Sequence, residues 1–98
     1  MDQECRQLTT LAEFEDARRR EDGFIVIRDS ARIQPNRIHR PDCHWVHPGY
    51  FREKVEDNSG RHGDYHYCRD YDAALALAQS GPWALREAGP CQDCNPAA

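Results

Sequence analysis

Gly89-Pro90-Cys91-Gln92-Asp93-Cys94-Asn95-Pro96 is the stretch from which the rest of the chain is best read. Two cysteines spaced C-x2-C present both thiolates to one tetrahedral metal ion, and the flanking Gly and Pro supply the tight turn such a knuckle needs. Upstream, His39-Arg40-Pro41-Asp42-Cys43 forms an H-x3-C pair, the other half of a candidate site. A thioredoxin-like redox motif is the competing reading of C-x2-C. It requires a helix whose N-terminus lowers the pKa of the first cysteine. Asn95-Pro96-Ala97-Ala98, which follows Cys94, offers no such helix, so metal binding is the stronger reading.

Cys91, Cys94 and Cys43, the last in a short Pro-flanked turn, are the firmest ligands, and His39 completes a set of three cysteines and one histidine for zinc. Cys43-x3-His47 has the same spacing as His39-x3-Cys43, so spacing alone does not choose between His39 and His47. His44 adjoins Cys43, which makes joint ligation of one ion awkward. His66 and Cys68 fall on one face of an expected strand and read more simply as a sheet pair, although either could serve as the fourth ligand. Cys5 is read as a free thiol. A structural zinc of this kind contributes roughly 10–16 kcal/mol of apparent folding free energy. That matches or exceeds the roughly 5–15 kcal/mol net stability of an ordinary domain.

A catalytic zinc keeps an open coordination position and an acid–base group beside it. Pro90-Cys91-Gln92-Asp93-Cys94 matches the second half of the H-x-E…P-C-x2-C signature of zinc deaminases. The first half fails, because neither His39-Arg40-Pro41 nor His44-Trp45-Val46 places a glutamate two residues after the histidine. A hydrolytic site would need another base, such as His47 or His66. No catalytic residue is assigned.

Ninety-eight residues without a linker-like or low-complexity stretch are read as one domain, residues 1–98, and no internal repeat divides them. Hydrophobic residues make up 39% and the mean hydropathy is -0.94, which implies a thin core. Chains of this length fold without metal support, so the case for zinc rests on spacing. Met1-Asp2-Gln3-Glu4-Cys5-Arg6-Gln7 is polar and acidic where a secretory signal would be basic and then apolar. No run reaches the roughly 18 apolar residues of a membrane span. An odd count of five cysteines suits reduced thiols. A soluble cytoplasmic protein with no membrane association is expected.

The net charge of -4 is unevenly spread. Residues 23–54 carry six basic groups, Arg28, Arg32, Arg37, Arg40, Arg52 and Lys54, against three acids. Residues 1–22 and 55–98 each carry seven acids, against four and three arginines. A locally basic middle suits phosphate contacts, although a solvated arginine face is the simpler account of charge alone.

Thr10-Leu11-Ala12-Glu13 has the form of a capping box, and Leu11, Phe14 and Ala17 recur at helical spacing, so a helix is expected over 11–21. Phe24-Ile25-Val26-Ile27 reads as a strand buried on both faces. Residues 29–36 read as a turn, and Arg37-Ile38-His39 as a short strand that delivers His39. Pro48-Gly49 reads as a turn and 52–63 as a polar loop. Tyr65-His66-Tyr67-Cys68 alternates as a third strand, with both tyrosines on one side. Asp72 is the expected cap of an alanine-rich helix ending at Ser80-Gly81-Pro82. Trp83-Ala84-Leu85-Arg86 is a last strand or a helical turn. The fold class is α+β: a short antiparallel or mixed sheet with two helices and a zinc knuckle.

Ile38-His39-Arg40-Pro41-Asp42-Cys43, the alanine-rich helix, and Cys91-Gln92-Asp93-Cys94-Asn95-Pro96 together resemble the Ada-type metal-binding domain of adaptive-response DNA-repair proteins. Similar modules are appended to some nucleases. The shared frame is a cysteine or histidine, three residues, a cysteine, a helix, then C-x2-C before a proline, and here it spans 38–96. The resemblance implies His39, Cys43, Cys91 and Cys94 as zinc ligands and so favours His39 over His47. In the repair proteins the first ligand is a cysteine whose thiolate accepts a methyl group from a DNA phosphotriester. His39 stands in that place, which implies a zinc-stabilised binding module without methyl transfer.

The expectation is therefore a non-enzymatic zinc module that contacts DNA or RNA. Arg28, Arg32, Arg37 and Arg40 would meet phosphates, and Trp45 or Tyr50 would stack on a base. Trp45 packed over the knuckle as part of a small core is the structural alternative. The other expectations are a protein partner docking on the acidic first helix, at Glu13 and Asp16, or a zinc hydrolase.

Overall fold

Phe24-Ile25-Val26-Ile27 begins the middle strand of the sheet, and the expectation of burial on both faces holds. Ile25 and Val26 are adjacent, point to opposite faces and are both fully buried. The computed structural model describes residues 5–20, 22–29, 36–57, 63–79, 89–94 and 96. Among these the elements are β1 (Cys5–Leu8), α1 (Leu11–Arg18), β2 (Phe24–Asp29), β3 (Arg37–His39), α2 (Pro48–Phe51), β4 (Gly63–Cys68), α3 (Tyr71–Ala78) and β5 (Gly89–Pro90). The five strands form one mixed sheet in the order β1-β4-β2-β3-β5, so the fold is α+β. All pairings are antiparallel except β3 with β5.

Each face of the sheet has its own core. On one face Leu8, Ile25, Tyr65 and Tyr67 pack with Phe14 and Ala17 of α1 and Phe51 of α2. Phe14 stacks on Phe51 at 4.5 Å, and both rings meet Tyr65 edge-on, at 5.6 and 5.2 Å. Such aromatic pairs add about 0.5–1.5 kcal/mol beyond their buried area. The opposite face holds Val26, Ile38, Cys68, Ala74 and Ala78, with α3 laid across it. Tyr65 and Tyr67 thus share one face while His66 and Cys68 belong to the other, as the alternation predicts.

The caps explain the helix boundaries. Thr10 Oγ1 accepts from the Glu13 amide at 3.2 Å, and Glu13 Oε1 accepts from the Thr10 amide at 3.1 Å, completing the capping box. The helix ends at Arg18, earlier than the expected residue 21, with Arg19 as C-cap. Asp70, not Asp72, caps α3: its backbone is extended and its carboxylate accepts from the Ala73 amide at 2.9 Å. Tyr71 is thereby drawn into the first turn, where its ring meets Phe24 at 5.6 Å. Buried Asn36 donates to the Ala78 carbonyl at 2.8 Å, satisfying one of the orphan acceptors at the end of α3.

Three further expectations are corrected. Pro48-Gly49 opens α2, with proline in the first turn where its missing N–H costs nothing, so the described residues hold three α-helices rather than two. Arg52–Asp57, expected as the start of a loop, continues α2 as a π-helical segment. Cys5 is not a free thiol. It sits directly opposite Cys68 in the β1–β4 register and forms a disulfide with it. Strand β1 has no counterpart among the sequence expectations, because Arg6 and Gln7 are exposed and Cys5 and Leu8 pack on opposite faces, leaving no apolar period to read. Of the expected turn at 29–36, Asp29 ends β2, and residues 30–35 lie outside the described residues, as do the tip of the polar loop at 58–62 and the Trp83–Arg86 element. No helix among the described residues is long and apolar enough to cross a membrane.

Candidate metal centre

Strand β3 ends at His39, which pairs with Ile25 of β2 and is 5% exposed. The chain then turns at once: the Cys43 amide donates to the Arg40 carbonyl at 3.0 Å, and the Val46 amide to the Cys43 carbonyl at 2.9 Å. Pro41 inside this turn restricts the backbone that brings Cys43 back towards His39. The second half arrives on β5, which lies parallel to β3 with Ile38 opposite Pro90. The Cys91 amide donates to the Ile38 carbonyl at 2.8 Å, so the knuckle is tied to β3 immediately before His39.

The outcome is a cluster. The ligand atoms of His39, Cys43, Cys91 and Cys94 all lie within 4.8 Å of one another, close enough to hold a metal ion. A tetrahedron with metal–sulfur bonds of about 2.3 Å has sulfur–sulfur edges of about 3.8 Å, so closure needs inward movement of about 1 Å at most. Three observations fit a cation. His39 Nδ1 is buried without a hydrogen-bond partner, which costs free energy unless a ligand meets the ring nitrogen. Burial, with Arg37 and His44 nearby, lowers the His39 pKa to about 4, so the ring is neutral and its lone pair is available. Burial, with the neighbouring thiols, pushes Cys43 up to about 12 and also raises Cys94, so the thiolates form only if a positive charge arrives among them.

Polar contacts around the cluster orient it. The Arg40 amide donates to Cys94 Sγ at 3.2 Å, and Arg40 Nε donates to the Cys94 carbonyl at 3.0 Å. Trp45 Nε1 donates to Asp93 Oδ2 inside the knuckle, and His44 Nε2 lies 3.5 Å from the same oxygen. Such outer contacts fix ligand geometry much as the ligands themselves do. Trp45 is nevertheless 43% exposed, and beside it Tyr50 is 50% exposed, their rings 6.4 Å apart. The tryptophan is tethered to the knuckle without being buried under it.

The other candidate residues are placed elsewhere. His47 caps α2, accepting from the Gly49 amide at 3.0 Å. His66 and Cys68 face the α3 side of the sheet, away from the cluster, and Cys68 is in the disulfide. Arg28 makes a bidentate pair with Asp64, at 2.8 and 2.7 Å, and is half-buried. Arg37 lies on β3, next to the site, and Arg32 lies outside the described residues. Glu13 is occupied by the capping box, and Asp16 sits 3.7 Å from both Arg6 and Arg20. Sequence reading missed the Arg28–Asp64–His66 group, whose only signal is the parity of Asp64 and His66 on one strand face.

No protein-family model matches this chain, and no curated protein or solved structure is significantly similar to it.

Proposed function

We propose that this protein is a zinc-stabilised, non-enzymatic module that contacts nucleic acid. The observation that carries the reading is the convergence of three sulfur donors and one imidazole from two distant segments of the chain. A soft donor set of three thiolates and one ring nitrogen in a compact cluster suits Zn2+ in a closed structural site. The hydrolytic reading is weaker, because His66 lies across the sheet and His47 is engaged as a helix cap. The likeness to the Ada-type domain is part of the same proposal, with His39 as a ligand that leaves no methyl-accepting thiolate in its position.

Nucleic-acid contact is supported by the exposed Trp45 and Tyr50, which offer a stacking surface beside the knuckle, and by Arg37 and Arg40 on the adjoining strand and turn. Arg28 drops out of the proposed contact set, since a half-buried bidentate pair with Asp64 is not surrendered cheaply. The test has two stages. Elemental analysis of natively purified protein should give one zinc per chain, and a Cys91→Ser plus Cys94→Ser variant should hold none and fold poorly. A zinc-free, well-folded parent would overturn the module. Fluorescence anisotropy with a labelled oligonucleotide should then show binding that weakens steeply with salt. Binding that is absent at low salt, or indifferent to salt, would overturn the nucleic-acid part.

A further inference from the structure

Arg18-Arg19-Arg20 is the densest run of positive charge in the chain, yet it sits in the acidic N-terminal segment. The fold keeps Glu15 and Asp16 beside it but also turns it towards Arg40. A cleft of about 580 Å³ opens between the C-terminal end of α1 and the turn that carries Cys43, lined by Arg18, Arg19, Arg20 and Arg40 with Asp22 and Asp42. Four cations against two carboxylates leave the cleft positive, in a protein whose net charge is -4.

The walls of this cleft are built. Tyr67 Oη donates to the Asp22 carbonyl at 3.2 Å, and the Arg20 guanidinium lies over the Tyr67 ring at 5.1 Å. Gly23, at φ +85°, passes so close to Tyr67 that a Cβ would overlap the ring, so Asp22 and Gly23 are seated on that tyrosine. On the other wall Arg40 is aimed by its Nε bond to the Cys94 carbonyl, which couples the cleft to the metal knuckle.

The existing partners of these arginines are weak. Arg20 lies 3.7 Å from Asp16 at the solvent-exposed surface, while Arg18 lies 3.8 Å from Glu15 with both side chains partly buried and its guanidinium over the Phe14 ring. Exposed pairs of that kind contribute about 0–1 kcal/mol. The Arg28–Asp64 pair, at 2.7 Å and half-buried, is of a different order. A ligand with dense negative charge and several acceptor oxygens displaces the first kind and not the second. Guanidinium forks match carboxylate and phosphate oxygens alike, so the preference for phosphate comes from several arginines converging on one cleft, which favours a multiply charged anion over an isolated carboxylate.

We infer that this cleft binds phosphate groups, and that Arg18, Arg19 and Arg20, rather than Arg28, join Arg40 as the phosphate-contacting residues. The inference rests on the nucleic-acid reading for the source of the phosphate, but not for the chemistry of the cleft. The experiment titrates the zinc-loaded chain with inorganic pyrophosphate and with a labelled single-stranded oligonucleotide, following amide NMR shifts and anisotropy. Both probes should shift the amides of Arg19, Gly23 and Arg40. Arg19→Glu, at an exposed C-cap position, should keep the fold and weaken oligonucleotide binding about ten-fold. It should also reduce the slope of log affinity against log salt by about 0.7, the value of one single-strand phosphate contact. Asp42→Asn should tighten binding by removing a competing charge.

Pyrophosphate shifts in the cleft without oligonucleotide binding would uphold the cleft and overturn the nucleic-acid reading. Oligonucleotide binding that leaves these amides unmoved and ignores Arg19→Glu would overturn the cleft while leaving that reading intact. No response to either probe would overturn both.

Discussion

A single carboxylate, Asp64, holds two basic side chains of the sheet at once, Arg28 through a bidentate pair and His66 with Nδ1 at 3.3 Å. Asp64→Asn leaves the Arg28 charge half-buried without its counter-charge and should cost about 2–4 kcal/mol, read as a lowered urea midpoint. Burial alone would raise the Asp64 pKa, but the Arg28 hydrogen bonds and the neighbouring His66 ring outweigh it and hold the group at about 2, below its ordinary 3.8. A depressed carboxylate contributes stability above its unfolded pKa and loses it as pH falls through the folded one. The difference in midpoint between parent and Asp64→Asn should therefore be full above about pH 4 and shrink towards about pH 2. A difference that stays constant over that range would place the stabilisation elsewhere. Gly23→Ala should also be costly, by about 2 kcal/mol or more, since it combines a left-handed backbone with overlap on Tyr67. At this scale the sequence is readable for ligand type and spacing. It is silent on pairings such as Arg28–Asp64, separated by 36 residues and matched only by the β2–β4 register.

Elements are legible where one local rule governs them. The capping box at Thr10 and Glu13, the apolar run at 24–27 and the strand at 37–39 each carry their own signal, and each is present. Legibility fails where two rules compete. Asp70 and Asp72 are both good caps, and tertiary contact between Tyr71 and Phe24 favours the earlier one. Asp70→Ala should cost about 1 kcal/mol, while Asp72→Ala, which loses only a favourable charge in the first turn, should cost about 0.5 kcal/mol or less. Equal losses in thermal denaturation would contradict that assignment. Pro48-Gly49 has the composition of a turn, but Phe51 shortly after must reach Phe14 and Tyr65, and that packing draws the segment into a helix. Strand β1 is held by pairing with β4 and by Cys5, neither of which leaves a periodic trace in sequence.

On the scale of the whole molecule, the disulfide and the candidate metal cluster bring remote parts of the chain together. The disulfide spans a separation of 63 residues, and in the chain-entropy account a loop of that length is worth about 4 kcal/mol. Reductant should lower the parent's unfolding free energy, read from urea melts, by a large fraction of that and leave a Cys5→Ser plus Cys68→Ser variant unmoved. Equal response in both would show that the pair contributes nothing in solution. On the zinc proposal, a chelator should be the harsher perturbation, since Cys43 and Cys91 belong to the same core as Phe14 and Phe51. The candidate ligands are legible because their chemistry is scarce and their spacing short. The strand order is not, because β5 joins β3 in parallel from far along the chain and nothing local records that return.

Only Gln92 and Asp93 stand between Cys91 and Cys94, whereas Cys5 and Cys68 are separated by 63 residues, so in an unfolded chain the short loop closes more readily. In an oxidising refolding mixture without metal, Cys91 and Cys94 would couple first, sealing the knuckle into a wrong covalent isomer. A bound ion would act as a protecting group, withholding three sulfurs from exchange and leaving Cys5 and Cys68 as the only pair able to react. The order of addition, metal before oxidant, would then decide which molecule is obtained.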